Sequence, residues 1–332
     1  MRHDVPMAEP WQMSKYAIDP ELLPWLDMMP AIDFTDAESL ARKRASFDEI
    51  GSMIPPYEAT HPIDVRNELV PGPEGAPDVP VRIYRRAGQE GAQPGLLYIH
   101  GGGFVIGRVD MADLAAMPFV DKLGIVVVAV DYRLAPETPF PGPVEDCYAA
   151  LVWTANKASE LGIDPARLAV GGESAGGGLS AATVLLARDR GGPALSHQYL
   201  WIPELDDRLE TESMREYVDT PLWNRPNAVF SWDSYLGEGK RGTADVSPYA
   251  APARAADLSG LPPTVVTVCQ FDPLRDEGLE YARRLSQANV PTEVRGYAGS
   301  FHGSTMIGDA AVTQRAAADQ LEDLCRGLEV AR

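Results

Sequence analysis

The octapeptide GGESAGGG, residues 171–178, follows the apolar run RLAV and leads into the helix-like stretch LSAATVLLARD. A flexible linker does not follow a strand-like segment so abruptly. A helix does not ordinarily open on several glycines, each of which costs about 1 kcal/mol in a helix interior. Gly172-Glu173-Ser174-Ala175-Gly176 fits G-x-S-x-G, a turn between strand and helix so tight that the serine backbone is strained. The positions two before and two after the serine must lack a Cβ, which would collide with the neighbouring strand and helix. The helix that follows aims its N-terminus at Ser174, where it favours developing negative charge. The competing reading of the same string is a glycine-rich turn that binds phosphate or nothing.

The rest of the chain supplies the surroundings such a turn needs. VRIYRR alternates, whereas GLLYIHG and GIVVVAVDYR are continuous apolar runs, the pattern of strands buried on both faces. RLAVGGES, TVVTVCQFD and TEVRGYAG follow the same grammar. Between them lie helix-like segments: PGPVEDCYAALVWTANKASELG, AGGGLSAATVLLARDRGG and PLRDEGLEYARRLSQANV. Strands alternating with helices predict an α/β fold with a mostly parallel sheet covered on both faces. Ligands in such sheets bind beyond the carboxyl ends of the strands.

Two regions depart from that rhythm. In residues 1–55, TDAESLARKRASFDEIG predicts a helix with a capping box, Thr35 or Asp36 ahead of Glu38, that ends at Gly51. In residues 205–250, TPLWNRPNAVFSWDSYLG carries Trp223, Phe230, Trp232 and Tyr235 and reads as a helical insertion. Together they are expected to form a cap, with residues 56–204 and 251–332 as the two parts of the catalytic α/β domain. The cap aromatics either face a ligand or pack among themselves.

The side-chain chemistry narrows further. The chain has 29 basic and 48 acidic residues, a formal net charge of −19, which repels phosphate backbones and anionic lipid. Nucleic acid and membrane surfaces are therefore not expected partners. Cys147, Cys269 and Cys325 are far apart and match no metal spacing, so buried thiols in a reducing compartment are expected. The first twenty residues lack an apolar core, and no window reaches the about 18 apolar residues of a membrane span. A cytoplasmic protein without a metal is the resulting expectation.

A serine nucleophile needs a base and an oriented partner for it. Of the five histidines, His3 lies in the N-terminal stretch and His61 in a proline-rich loop. His100 belongs to the loop HGGGF, where its role is to hold that loop, and His197 precedes the short apolar run YLWIP. His302, in AGSFHGS, follows the last strand-like run and so falls at the carboxyl edge. Asp272 immediately follows TVVTVCQF, in the chain order Ser…Asp…His, whereas its rival Asp276 falls one turn into the next helix. HGGGF has neither G-K-[ST] nor G-x-G-x-x-G, so phosphate cradling is not its task. Consecutive glycines let a loop turn its amides inward, which makes the N–H groups of Gly102, Gly103 and Ala175 the candidate donors to an oxyanion. Phe104, Trp223 and Phe230 are the candidate substrate-binding residues.

HGGGF, DYRLAPETPFP followed by EDC, GESAGG, DPLRDEG and FHG occur in that order between about residue 98 and residue 304. In this set the chain resembles the hormone-sensitive-lipase-like bacterial esterases of the α/β-hydrolase superfamily. The resemblance implies a central sheet of about eight strands, a helical cap and hydrolysis of carboxylic esters without a cofactor. It implies the same Ser174, Asp272 and His302 and the same three amides. It also makes YRLAPE structural and suggests a homodimer, while the residues leave the oligomeric state open. Glu173 stands where Asp is commoner, and Ser304 where an apolar residue is common; both bear on substrate preference. Short to medium acyl esters are the expected substrates. The alternatives are an amidase, lactonase or deacetylase using the same three side chains, and a non-enzymatic small-molecule receptor on this fold.

Overall fold

The continuous apolar runs become the inner strands of one sheet. The structure, a computed structural model, describes residues 15–26, 34, 36–53 and 56–330, with the backbone alone for 47–53. Among the described residues two helices come first, α1 (Leu23–Leu26) and α2 (Ala37–Met53). The hairpin β1 (Ile63–Val70) and β2 (Val79–Arg86) leads to β3 (Gln93–Ile99), α3 (Asp113–Leu123) and β4 (Val126–Val130). Next are α4 (Gly142–Asn156), α5 (Ala158–Leu161), β5 (Ile163–Glu173), α6 (Ala175–Asp189) and β6 (His197–Trp201). After α7 (Glu212–Glu216) and α8 (Arg225–Leu236), the chain closes with β7 (Thr264–Phe271), α9 (Arg275–Gln287), β8 (Thr292–Phe301) and α10 (Ala311–Gly327).

The eight strands lie in the order β1-β2-β4-β3-β5-β6-β7-β8. β2 is antiparallel to both β1 and β4, and every other pair is parallel. Every residue of β4 is buried, as a continuous Val-Ala run requires between two helical layers. α6 can lie close to the sheet because its first turn is glycine. A Cβ on Gly176 would come 2.1 Å from the Ile99 carbonyl oxygen. The buried residues form one large core on the α4–α6–α9 side, a second under α3 and α10, and a third that joins Leu22 and Leu26 to Phe271 and Phe301 at the ends of β7 and β8.

The expected α/β architecture is present, with several local differences. The α2 cap is reciprocal between Asp36 and Ser39: Asp36 Oδ1 accepts from the Ser39 amide at 2.7 Å and Ser39 Oγ accepts from the Asp36 amide at 3.0 Å. Glu38 instead pairs with Arg42, Thr35 and His3 lie outside the described residues, and the helix runs on to Met53 rather than ending at Gly51. The long segment after Pro141 divides at Lys157 into α4 and α5. β1, α3 and α10 have no counterpart among the runs read from the sequence, and β6 takes up the start of the short apolar run YLWIP. β1 is an edge strand with charged residues on its open face, and α3 contains Pro118, ordinarily a helix breaker.

The segments expected to make the cap do meet. The Phe34 amide donates to Asn227 Oδ1 at 3.1 Å, and the Phe34 ring stacks on Phe230 at 5.6 Å. Arg44 of α2 reaches the Val105 carbonyl at 2.8 Å, the Ala135 carbonyl at 3.0 Å and the carboxylate of Glu137. α2 is thereby fastened to the far end of the glycine loop.

Candidate active site

β5 ends at Glu173 and α6 begins at Ala175, so Ser174 alone makes the turn. Its backbone has φ 55° and ψ −122°, a conformation that costs a β-carbon-bearing residue about 1–3 kcal/mol. Three hydrogen bonds hold it there. The Ser174 amide donates to the Trp201 carbonyl at 2.9 Å, and its own carbonyl accepts from the Gly178 and Glu204 amides at 3.0 Å each. The flanking glycines have no room for a side chain: a Cβ on Gly172 would lie 2.3 Å from the Ile99 carbonyl oxygen.

The carboxyl ends of β7 and β8 bring two further groups to this turn. Asp272 directly follows β7, and its Oδ1 accepts from the Leu274 amide at 2.8 Å. His302 directly follows β8, with its Nδ1 2.7 Å from Asp272 Oδ2 and its Nε2 2.9 Å from Ser174 Oγ. A carboxylate at Nδ1 fixes the tautomer with the proton there, which leaves Nε2 free to accept from the serine hydroxyl. The rival Asp276 is occupied elsewhere: its Oδ2 accepts from the Ser213 amide at 2.8 Å and Oδ1 pairs with Arg275.

The glycine loop lies across the serine from this pair. Gly102 has φ 119° and Gly103 φ 55°, both in the left-handed region that favours glycine. His100 donates from Nδ1 to the Gly101 carbonyl at 2.7 Å and stacks on Tyr132, whose hydroxyl donates to the His100 carbonyl at 3.0 Å. Burial pushes the His100 imidazole below its ordinary pKa, so it holds the loop as a neutral ring. Among the described residues, the N–H groups of Gly102, Gly103 and Ala175 have no acceptor. Three amides without an acceptor, on the loop and helix that flank Ser174, have the chemistry to receive an oxygen that becomes negative.

The three candidate substrate-binding aromatics sit in different settings. Trp223 is buried with its ring centroid 5.9 Å from that of His302, and its Cη2 is 2.4 Å from where a Gly103 Cβ would be. It walls the space between imidazole and glycine loop. Phe104 follows the glycines, but its ring turns into the core, stacked on Tyr235 at 4.2 Å and near Trp232 at 5.2 Å. Phe230 lines a groove of about 550 Å³ with Phe34, Leu40 and Pro226; Ser174, Asp272 and His302 do not line it.

Glu173 and Ser304 prove to be tied into the scaffold. Burial raises the Glu173 carboxyl, against the opposing influence of Gln320, His302 and Tyr98. Ser304 Oγ accepts from the Phe301 amide at 3.0 Å and its carbonyl accepts from Thr313 at 3.0 Å, which shapes the turn that carries His302.

Sequence reasoning overlooked Glu204 and Ser231. Glu204 is fully buried just beyond β6, and its amide is one of those on the Ser174 carbonyl. Ser231 of α8 is also fully buried, with Oγ 2.9 Å from the Gly103 carbonyl oxygen and 3.1 Å from Glu204 Oε1. The rule that finds Asp272, an acid directly past a strand, would also have found Glu204.

A strained serine at a strand–helix turn, with histidine and aspartate from the next strand ends, defines the class of α/β-hydrolase-fold proteins. Residues 96–306 match the family described as alpha/beta hydrolase fold, and the chain belongs to it, in its hormone-sensitive-lipase-like branch. The chain is 38% identical over 299 residues to carboxylesterase NlhH of Mycobacterium tuberculosis, covering 90% of this chain and 91% of that one. Among solved structures, it is similar to a bacterial heroin esterase, with 51% identity, a TM-score of 0.91 and coverage of 94% and 98%. It is also similar to a hyperthermophilic esterase of the archaeon Pyrobaculum calidifontis, with 33% identity, a TM-score of 0.84 and coverage of 95% and 99%.

Proposed function

We propose that the chain is a serine carboxylesterase that cleaves short to medium acyl esters through an acyl-enzyme, with Ser174, His302 and Asp272 as its catalytic residues. The observation that carries this reading is the unbroken line of contacts from Asp272 through His302 to Ser174. His302 Nε2 takes the hydroxyl proton as Ser174 Oγ attacks the ester carbonyl, and Asp272 stabilises the imidazolium that forms. The amides of Gly102, Gly103 and Ala175 bind the resulting oxyanion, each such donor being worth about 10²–10³ in turnover. His302 returns the proton to the departing alkoxide, and water then repeats the sequence on the acyl-enzyme. Every proton and charge in this cycle is handled by a named group, so the chemistry calls on no cofactor.

Trp223 limits the acyl group from the cap side, and residues 1–55 and 205–250 act as the cap over the two catalytic parts, 56–204 and 251–332. The thiols of Cys147, Cys269 and Cys325 are unpaired, which supports a reducing, cytoplasmic setting. Among the described residues no helix is long and apolar enough to cross a membrane. A homodimer is the assembly to test by light scattering.

Ser174→Ala is expected to lower kcat for p-nitrophenyl acetate by about 10⁶-fold with the thermal melt unchanged. A fluorophosphonate should label the wild type and not the variant. A folded Ser174→Ala protein with wild-type turnover overturns the assignment. A panel of p-nitrophenyl esters from acetate to laurate reads the acyl preference, and a maximum at the long end overturns the short-to-medium range.

A further inference from the structure

Ser231 presents a problem in proton counting. Its single hydroxyl proton faces two acceptor atoms, the Gly103 carbonyl oxygen at 2.9 Å and Glu204 Oε1 at 3.1 Å. If Glu204 is ionised, one proton must serve both oxygens, and Glu204 Oε2, which has no partner, is left as a buried bare anionic atom. Such an atom forfeits its full desolvation free energy. If Glu204 carries a proton, the arrangement closes: the carboxyl O–H donates to Ser231 Oγ, and Ser231 O–H donates to the Gly103 carbonyl. Oε2 is then a neutral carbonyl oxygen, whose burial costs far less.

We propose that Glu204 is a positioning residue that works as a neutral acid: through Ser231 it fixes the Gly103 carbonyl and with it the oxyanion-binding amides. This rests on the catalytic reading of the glycine loop given above. Among the described residues Gly103 makes no backbone–backbone hydrogen bond, and a glycine has few steric limits on ψ. The Ser231 bond on its carbonyl removes that freedom. Glu204 also reaches the nucleophile, because its amide donates to the Ser174 carbonyl at 3.0 Å. One residue thus ties together the serine turn, the oxyanion loop and cap helix α8.

The electrostatic surroundings agree. Burial pushes the Glu204 carboxyl up to about 8, with the Ser231 bond opposing and the Asp272 charge adding to the rise. Glu277 on α9 also faces it, itself a carboxyl raised by burial and by Asp206, as does the buried phenol of Tyr132 beyond β4. Neither supplies a cation that would favour the anion. When Glu204 ionises, it draws the Ser231 proton to itself, and the Gly103 carbonyl loses its donor. Activity should therefore fall with a midpoint near 8 from this group alone.

The test combines kinetics with infrared spectroscopy on the full chain. In the wild type, kcat for p-nitrophenyl acetate should fall on an alkaline limb centred near pH 8. Glu204→Gln, whose amide can donate to Ser231 at any pH, should abolish that limb and retain kcat within a few-fold at pH 7. Ser231→Ala should lower kcat roughly 10-fold at all pH values, less than the ~10²-fold loss of an entire oxyanion donor. The infrared difference between wild type and Glu204→Gln at pH 7 should contain a protonated-carboxyl C=O stretch that titrates away near pH 8. A missing band, a flat wild-type profile or an unchanged alkaline limb in folded Glu204→Gln overturns the proposal. If Glu204→Gln fails to fold, the infrared difference between wild type and Ser231→Ala decides it, because loss of the Ser231 contact shifts the Glu204 band and leaves those of Glu173 and Glu277 in place. The band does not depend on which residue attacks the ester, so its loss and failure of the esterase reading remain distinguishable.

Discussion

Gly176 shows how little latitude a single residue has in this site. A β-carbon there would lie 2.1 Å from the Ile99 oxygen and 2.4 Å from the His100 oxygen, both backbone atoms that cannot swing aside. Gly176→Ala is expected to destabilise the fold by about 1–3 kcal/mol, as other overpacked sites do, and to lower kcat by displacing Ser174. A thermal melt run beside an ester assay checks both; an unchanged melt with full activity contradicts the tight seat. The glycines of the elbow were legible because steric exclusion leaves a compositional trace. The position of Asp272 was legible too, since a residue directly past a strand lies on the carboxyl edge, where Asp272 meets His302; that Asp276 is held by Ser213 is visible only in the structure. Ser231 was not legible. A serine within an aromatic-rich helix has no local mark, and its meaning arises from Gly103 and Glu204, both far away in the chain.

Among the elements, α2 shows how an N-terminal helix is fastened to the rest of the chain. Arg44 makes hydrogen bonds to two backbone carbonyls, those of Val105 and Ala135, besides its ion pair with the more exposed Glu137. Exposed pairs contribute little, so the carbonyl contacts carry most of the attachment. Arg44→Ala should weaken α2 docking by about 1–2 kcal/mol. The measurement is limited trypsin digestion, in which cleavage after Arg42 and Lys43 should quicken while the sheet core stays resistant; an unchanged rate refutes the attachment. At this scale, strands that are apolar throughout, such as β4, could be read directly from composition. β1 and α3 could not: the first exposes much of its length at the sheet edge, and the second tolerates Pro118 because tertiary packing outweighs local propensity.

For the whole molecule, buried carboxyls set opposite slopes on the two sides of the stability curve. Asp121 is buried; desolvation would raise it, but bonds from Thr60, His61 and Tyr57 outweigh that and hold it well below the carboxylate range. A lowered acid contributes stability that is complete above its unfolded value and is lost as pH falls through its folded value. Glu204 has the reverse sign. Raised from 4.5 to about 8, it contributes most below its unfolded value, and that share is lost as pH rises towards 8. The slope is at most about 1.4 kcal/mol per pH unit. Chemical denaturation from pH 3 to 9 should therefore show Asp121→Asn flattening the acid flank and Glu204→Gln flattening the neutral-to-alkaline flank. Identical profiles for all three proteins would rule this out. The contact between α8 and the N-terminal segment also bears on biosynthesis. Phe34 and Asn227 bond across 193 positions of the chain, and His302 emerges from the ribosome later still. A nascent chain therefore carries the Phe34 ring without Phe230 and Asn227 until α8 has been made, and Ser174 without His302 for longer, so products truncated before residue 302 would lack the Ser174–His302 contact and be prone to stick.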